Sequence, residues 1–112
     1  MQVGHRTDND INILSIEGNI EIEAVNELKA FVNPMLEDAS LQGLLINMEK
    51  VKVIDSSGIG WIISAFKALQ ARQAPFALCQ VNPGHLKIFT MTRLDKILSI
   101  YDTEEEALNQ MK

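Results

Sequence analysis

The sequence is poor in the residues that stabilise secreted, metal-bound or membrane-spanning proteins. It has one cysteine, Cys79, so no disulfide can form within the chain, and we expect a reducing, cytoplasmic location. Two histidines and this cysteine, far apart in sequence, make a poor metal set, and we expect neither metal nor cofactor. No apolar run reaches the roughly 18 residues of a transmembrane helix. The polar start MQVGHRTDND is not that of a signal peptide.

Positive charge is also scarce. Ten lysine and arginine residues face 15 aspartate and glutamate residues, which gives a net charge of -5. This balance disfavours nonspecific binding to nucleic acid or to an anionic membrane. Hydrophobic residues make up 46% of the 112 positions, enough for one core. We therefore expect one domain over residues 1–112.

The hydrophobic pattern alternates between two periods. A turn at Asp8–Asp10 separates a short first strand from "INILSIEG", and the apolar runs "GLLINM" and "PFALCQV" suit strands covered on both faces. Helical spacing of apolar residues occupies the regions Val25–Leu36 and Ile59–Leu69 between them. Asn82–Pro83 and the capping box at Thr103 predict two further helix starts. The pattern predicts an α/β domain with a mixed sheet of four to five strands and about four helices.

The segment "VIDSSGIGW" carries small polar residues where a predicted buried strand meets a predicted helix. Asp55, Ser56 and Ser57 can each cap the helix by accepting a hydrogen bond from a free backbone N–H. Gly58 and Gly60 remove side chains from the first turn, so a partner can approach the backbone closely. A helix cap with no further role is one interpretation of this segment.

Two enzymatic interpretations are disfavoured. A hydrolase nucleophile elbow needs glycine two residues before the serine, where this chain has Ile54 or Asp55. Neither His5 nor His85 has a recognisable setting as a catalytic base. A phosphate-binding P-loop needs a lysine directly after its last glycine, and Lys67 lies too far along the helix. We therefore expect a protein with no catalysis of its own.

A third functional interpretation is a serine that receives a phosphate from another protein. A phosphate at a helix N-terminus faces free N–H groups and a favourable dipole, so the fold should tolerate it. It would add nearly two negative charges beside Asp55. A partner fitted to the neutral serine would then meet both charge and bulk, and binding would be switched off without unfolding.

Trp61 is the only tryptophan and stands out from the helical stripe that follows the motif. The stripe predicted to face the core consists of Ile59, Ile62, Ile63, Phe66 and Leu69. At 100° per residue, Trp61 points roughly opposite this stripe. It is therefore a candidate anchor for a partner, because aromatic residues dominate interface energetics. The alternative is that Trp61 packs sideways on a neighbouring helix.

The segment "VIDSSGIGWIISAFKAL" resembles the signature of STAS domains, specifically of bacterial anti-sigma factor antagonists. The family pattern is an apolar strand, then Asp-Ser-[Ser/Thr/Ala]-Gly-[Leu/Ile]-Gly, then an apolar helix. "IEGNIEIEAVNELK" is similar to the family segment before the first long helix, and "LDKILSIYDTEEEAL" to its C-terminal end. The resemblance covers nearly the whole chain and implies a single STAS-type domain.

The resemblance implies a switch. In the family, the serine after the aspartate is phosphorylated by the anti-sigma factor, which is itself a serine kinase, and this serine matches Ser56, with Ser57 as second choice. The unphosphorylated antagonist binds the kinase and frees the sigma factor, and a phosphatase resets it. The partner-binding surface expected on this basis comprises Glu21, Asp55, Ser57, Gly58, Ile59, Gly60 and Trp61.

The chain departs from the family pattern at the kinase-facing surface. Glu21 stands where aspartate is usual, Ala24 replaces a threonine, and Trp61 is an unusual occupant of its position. We therefore expect partner choice to differ from that of relatives. The alternative function is a constitutive STAS-type subunit of a larger signalling scaffold or lipid-transport complex, in which Ser56 would be only a helix cap.

Overall fold

A computed structural model describes residues 1–111, which form six strands and four α-helices. The strands are β1 Gln2–Asp8, β2 Ile11–Ile20, β3 Leu44–Asn47, β4 Val51–Ile54, β5 Phe76–Cys79 and β6 Ser99–Tyr101. The helices are α1 Ile22–Glu37, α2 Ser56–Ala71, α3 Pro83–Met91 and α4 Glu104–Met111, with a 3-10 turn at Leu94–Lys96. The predicted α/β class and the four helices are confirmed.

The sheet is mixed and runs in the order β1-β2-β3-β5-β6. β1 is antiparallel to β2, and the other pairings are parallel. β4 pairs with the last residues of β2, at Gly18–Ile20, after β3 has paired with Asn12–Ser15. β3 and β4 therefore follow one line beside β2, interrupted by a turn at Met48–Val51. This interruption gives six strands where the sequence predicted four to five.

Helices cover both faces of the sheet, which explains why the central strands are apolar at nearly every position. On one face, α1, α2 and α3 pack on the larger core cluster, which includes Leu14, Ile46 and Leu78. On the other face, α4 contributes Ala107 and Leu108 to a smaller cluster. Adjacent residues of a strand point to opposite faces, so each apolar strand serves both clusters.

The predicted helix starts are confirmed by their hydrogen bonds. The side chain of Asn82 accepts a hydrogen bond from the His85 N–H at 2.8 Å, with Pro83 in the first turn of α3. Thr103 accepts a hydrogen bond from the Glu106 N–H at 3.1 Å at the start of α4. Each bond satisfies one of the N–H groups that a helix leaves free in its first turn.

The expectation that Trp61 lies off the core is wrong. Its side chain is only 4% exposed and belongs to the larger core cluster. The reason is that α2 is covered on two sides, by the sheet and by α1. Arg72 lies on the same side of α2 as Trp61 and donates a hydrogen bond to the carbonyl of Leu36 at the end of α1. The alternative of sideways helix packing therefore describes Trp61 better.

Candidate functional site

The segment "VIDSSGIGW" forms the end of β4 and the start of α2, close to the end of β2. Asp55 is the N-cap of α2, and its carboxylate accepts a hydrogen bond from the Gly58 N–H at 3.0 Å. The backbone N–H of Asp55 donates to the carbonyl oxygen of Ile20 at 3.2 Å. The first turn of the helix is thus fixed both to its own cap and to the sheet.

Ser56 and Ser57 differ in exposure. Ser56 is the first residue of the 16-residue helix α2 and is exposed, whereas Ser57 is half-buried. The carboxylate of Asp55 occupies the Gly58 N–H, and the remaining N–H groups of the first turn lie at the positive end of the helix dipole. Ser56 is therefore more accessible to another protein than Ser57, a difference that the sequence alone did not show.

Gly58 and Gly60 serve different purposes. A Cβ atom at Gly58 would lie 2.6 Å from the carbonyl oxygen of Ile20 and 2.7 Å from a side-chain carbon of Ile54, so only glycine fits there. A Cβ atom at Gly60 would meet nothing within 4 Å. Gly58 is buried and brings the helix close to β2, while Gly60 leaves an open, exposed stretch of backbone.

An acidic groove lies between the start of α1 and the start of α2. Its volume is about 460 Å³, and its lining includes the carboxylate residues Glu21, Glu23, Glu27 and Asp55. Glu21 and Asp55, which are far apart in sequence, therefore share one surface, as the resemblance implied. Glu21 is exposed, and its side chain caps no helix N–H. Four carboxylates in one groove favour a cationic partner surface.

Ile22 is a residue that sequence reasoning missed. It also lines the acidic groove, and its side chain is 68% exposed at the first position of α1. It lies outside the buried stripe formed by Val25, Leu28 and Val32. Ile22 precedes Val25 by three residues, so helical spacing alone would assign it to the buried stripe, and the sequence offered no signal of its exposure. A single exposed isoleucine is common, but its place beside Asp55 makes it a candidate contact residue.

The remaining candidate residues contribute less to this surface. Trp61 is buried and Ile59 is half-buried against the core, so neither offers a large contact area. Cys79 is also buried, and burial raises the pKa of its thiol to about 12, which keeps the thiol neutral. Within residues 1–111, no group of three or more histidine, cysteine or acidic residues is arranged to hold a metal ion. No helix in that range is long and apolar enough to cross a membrane.

Comparison with known protein sequences gives consistent matches. A family model described as STAS domain matches residues 3–107. The chain is 22% identical over 112 residues to the anti-sigma F factor antagonist of Paenibacillus polymyxa, covering 100% of this chain and 96% of that protein. It is 28% identical over 95 residues to the anti-sigma-B factor antagonist of Listeria monocytogenes, covering 79% of this chain and 83% of that protein.

Solved structures share the fold over nearly the whole chain. A Thermotoga maritima protein described as a candidate anti-sigma factor antagonist aligns with a TM-score of 0.92 at 26% identity, covering 97% of this chain and 93% of that one. The antagonist SpoIIAA in its unphosphorylated form aligns at 0.78 with 21% identity, covering 97% and 96%. SpoIIAA in its phosphorylated form aligns at 0.79 with 20% identity, covering 99% and 100%.

Proposed function

Because the chain belongs to the STAS domain family, we propose that it is an anti-sigma factor antagonist switched by phosphorylation of Ser56. In the unphosphorylated state it binds an anti-sigma factor that is a serine kinase, and the sigma factor is released. A phosphoserine phosphatase restores the active state. The observation that carries the proposal is the exposure of Ser56 at the first position of α2, beside the acidic groove. The names of the relatives from Paenibacillus polymyxa and Listeria monocytogenes support the antagonist role.

The local fold can accept a phosphate on Ser56. The phosphate would lie at the positive end of α2, where helix N–H groups and the dipole stabilise negative charge. The carboxylate of Asp55 would repel this phosphate, but its hydrogen bond with the Gly58 N–H holds it in the cap. SpoIIAA supports this reasoning, since its unphosphorylated and phosphorylated forms align with this chain almost equally well.

The same phosphate would block the partner for a chemical reason. A kinase that phosphorylates Ser56 must hold the terminal phosphate of ATP opposite the serine hydroxyl. A phosphoserine at this position would add about 1.5 to 2 negative charges and would face the nucleotide phosphates at close range. Like charges at short separation cost several kcal/mol at an interface. Binding would weaken even though the groove beside Ser56 attracts cationic groups.

The groove indicates the chemistry of the partner surface. Glu21, Glu27 and Asp55 would pair with arginine or lysine side chains of the kinase, and the exposed Ile22 would enter an apolar pocket among them. Charge pairs at the edge of an interface mainly accelerate association, while a buried apolar contact mainly slows dissociation. The two kinds of contact can therefore be separated by varying the salt concentration.

The direct test is phosphate mapping. The protein is incubated with the cognate anti-sigma kinase and ATP, and peptides are analysed by mass spectrometry. We expect one phosphate on Ser56 and none on Ser56→Ala protein. Ser64 is exposed about two turns further along α2, so a Ser64→Ala protein is the matched control and should be phosphorylated normally. Absence of phosphate from both Ser56 and Ser57 would overturn the proposal.

The alternative role, a constitutive subunit of a signalling scaffold or lipid-transport complex, makes a different prediction. In that case Ser56→Ala and Ser56→Asp proteins would join the assembly equally well, because Ser56 would serve only as a helix start. Under the switch, Ser56→Ala protein binds the kinase and Ser56→Asp protein binds weakly. The names of the relatives from Paenibacillus polymyxa and Listeria monocytogenes favour the antagonist role over that of a scaffold or transport subunit.

A further inference from the structure

Gly18 has a backbone conformation that distinguishes it from the other glycines in residues 1–111. Its φ angle is +107°, the only positive value at a glycine in that range. L-residues rarely adopt this conformation, because their Cβ atom collides with the backbone. Gly18 lies in β2 where the pairing with β4 shifts register, between Gly18 and Asn19. A conformation available almost only to glycine therefore coincides with an irregularity of the sheet.

The segment after Gly18 leads directly to the Ser56 site. Gly18 donates its N–H to the carbonyl of Lys50 at 3.0 Å, which pairs β2 with the turn before β4. Two residues later, the carbonyl of Ile20 accepts the N–H of Asp55, the N-cap of α2. A Cβ atom at Gly58 would lie only 2.6 Å from the same carbonyl oxygen. The position of Ile20 therefore sets the position of the first turn of α2, with little room for adjustment.

We infer that Gly18 is a positioning residue for the Ser56 site and acts through Ile20. Its positive φ angle directs the last residues of β2 so that the carbonyl of Ile20 meets the N–H of Asp55. An L-residue at position 18 would be strained there or would relax towards negative φ and turn Ile20 away. The cap of α2 would then lose its tie to the sheet, while the core under β3 and β5 would be unaffected. The effect on phosphorylation depends on the proposed function, whereas the effect on the cap does not.

The test compares three proteins, each of which carries one methyl group more than the wild-type protein. Gly18→Ala adds an L-side chain that disfavours positive φ. A chemically synthesised protein with D-alanine at position 18 adds the same atoms but favours positive φ. Gly4→Ala is the matched control, because Gly4 is in the neighbouring strand β1 and a Cβ atom there would lie 3.8 Å from its nearest neighbour, an ordinary contact.

The first measurement is amide hydrogen exchange by NMR and needs no kinase. The amides of Asp55 and Gly58 report on the cap, and the amide of Met48, bonded at 3.0 Å to the carbonyl of Cys79, serves as internal reference for the core. Relative to Met48, we expect Gly18→Ala to accelerate exchange at both amides by about tenfold, the order that backbone strain implies. Gly4→Ala and D-alanine at position 18 should leave the ratio unchanged.

Three outcomes would overturn the inference. Unchanged exchange ratios in Gly18→Ala protein would show that the cap does not depend on position 18. Equal effects of L- and D-alanine would mean that the added volume matters and the φ angle does not.

If Gly18→Ala protein does not fold, Gly18→Asn replaces it, because asparagine tolerates positive φ better than alanine. An asparagine protein with wild-type exchange at Asp55 while D-alanine perturbs it would also contradict the inference.

The second measurement is the rate at which a cognate kinase phosphorylates Ser56. We expect Gly18→Ala to slow the reaction by about tenfold through the misplaced cap, and D-alanine to restore it. If the wild-type protein is not phosphorylated, the proposed function fails and the exchange result stands. If wild-type and Gly18→Ala proteins are phosphorylated at the same rate, the positioning role of Gly18 fails and the switch stands.

Discussion

Two glycines near the start of α2, Gly58 and Gly60, have different roles: Gly58 is needed for folding, and Gly60 is a candidate for recognition by a partner. Gly58 is required by the backbone of β2, since any side chain there would collide with the carbonyl of Ile20. Gly60 is not required by any neighbour within 4 Å. A glycine inside a helix lowers stability, so an exposed one without a packing reason suggests a constraint from a partner that approaches the backbone.

This contrast predicts opposite effects of one added methyl group. Gly58→Ala should lower the free energy of unfolding by about 2 kcal/mol, because the collision forces α2 away from β2. Gly60→Ala should raise the free energy of unfolding by about 0.5–1 kcal/mol through better helix propensity. Urea denaturation of both proteins measures the two values. A stabilised Gly58→Ala protein, or a clearly destabilised Gly60→Ala protein, would contradict the geometry of this turn.

The groove residues Glu21 and Ile22 should affect kinase binding in different ways. Glu21→Gln should weaken binding at low salt and lose its effect at high salt, because screening removes edge charge pairs. Ile22→Ser should weaken binding about tenfold at every salt concentration, since it removes an apolar contact of about 1–2 kcal/mol. Calorimetry at two salt concentrations separates them. Wild-type affinity in Ile22→Ser protein would exclude this residue from the interface.

The sequence could identify the Ser56 segment but could not determine which side chains reach the surface. Helical periodicity placed Trp61 opposite the core stripe, because it treats a helix as covered on one side only. Trp61 is buried because α1 covers a second side of α2, and this packing depends on residues far away in sequence. Ile22 was missed for the converse reason, since its exposure depends on where α1 begins relative to Asp55.

Besides their apolar packing, α1 and α2 are linked by the side chain of Arg72. The guanidinium of Arg72, at the end of α2, donates hydrogen bonds to the backbone carbonyls of Leu36, Asp38 and Leu41, at 2.7, 2.6 and 3.2 Å. These carbonyls lie at the end of α1 and in the loop towards β3. A planar guanidinium with several donors suits such a cluster, and a lysine cannot reproduce it.

Arg72→Lys should therefore destabilise the protein even though charge is conserved. We expect the free energy of unfolding to fall by about 1.5–3 kcal/mol, the range for hydrogen bonds to charged groups. Lys67→Arg, an exposed exchange of the same two residue types on the same helix, is the control and should be neutral. Urea denaturation measures both, and equal stabilities would refute the role of Arg72 as a clamp.

Strands and helices were predictable because their apolar patterns are local. The two-sided strands β3 and β5 appear as continuous apolar runs, and the caps at Asn82 and Thr103 are short local motifs. The separation of β3 from β4 was not predictable, because it depends on the register against β2 and on the irregular pairing after Gly18. Local patterns carry no information on such long-range register.

Across the whole molecule, a polar network links α4 to the sheet. Glu104 at the start of α4 accepts hydrogen bonds from Arg6 of β1 and from Asn47 of β3, the latter at 3.1 Å. Partial burial raises the pKa of Glu104. The hydrogen bonds from Arg6 and Asn47, together with the positive charge of Arg6, lower this pKa by more, so that it lies below the ordinary 4.5. The charged form is therefore favoured in the folded state.

This pKa shift predicts part of the acid sensitivity of the fold. A depressed folded-state pKa contributes stability above the unfolded value of 4.5, and this contribution is lost as the pH falls through the folded value. The free energy of unfolding should thus decrease from pH 6 to pH 3 (roughly the range in which carboxylates titrate). Glu104→Gln should reduce this decrease, as measured by urea denaturation at several pH values. An identical pH dependence in both proteins would show that Glu104 makes no such contribution.

The central claim is that the charge state of Ser56 controls binding to an anti-sigma kinase. The most direct measurement is the calorimetric affinity of the kinase, loaded with nucleotide, for the unphosphorylated protein and for the same protein with phosphoserine at position 56. We predict that phosphoserine weakens binding at least about a hundredfold, the effect of several kcal/mol of like-charge repulsion, while the thermal stability of the domain changes little. Equal affinity of the two forms for the kinase would contradict the account.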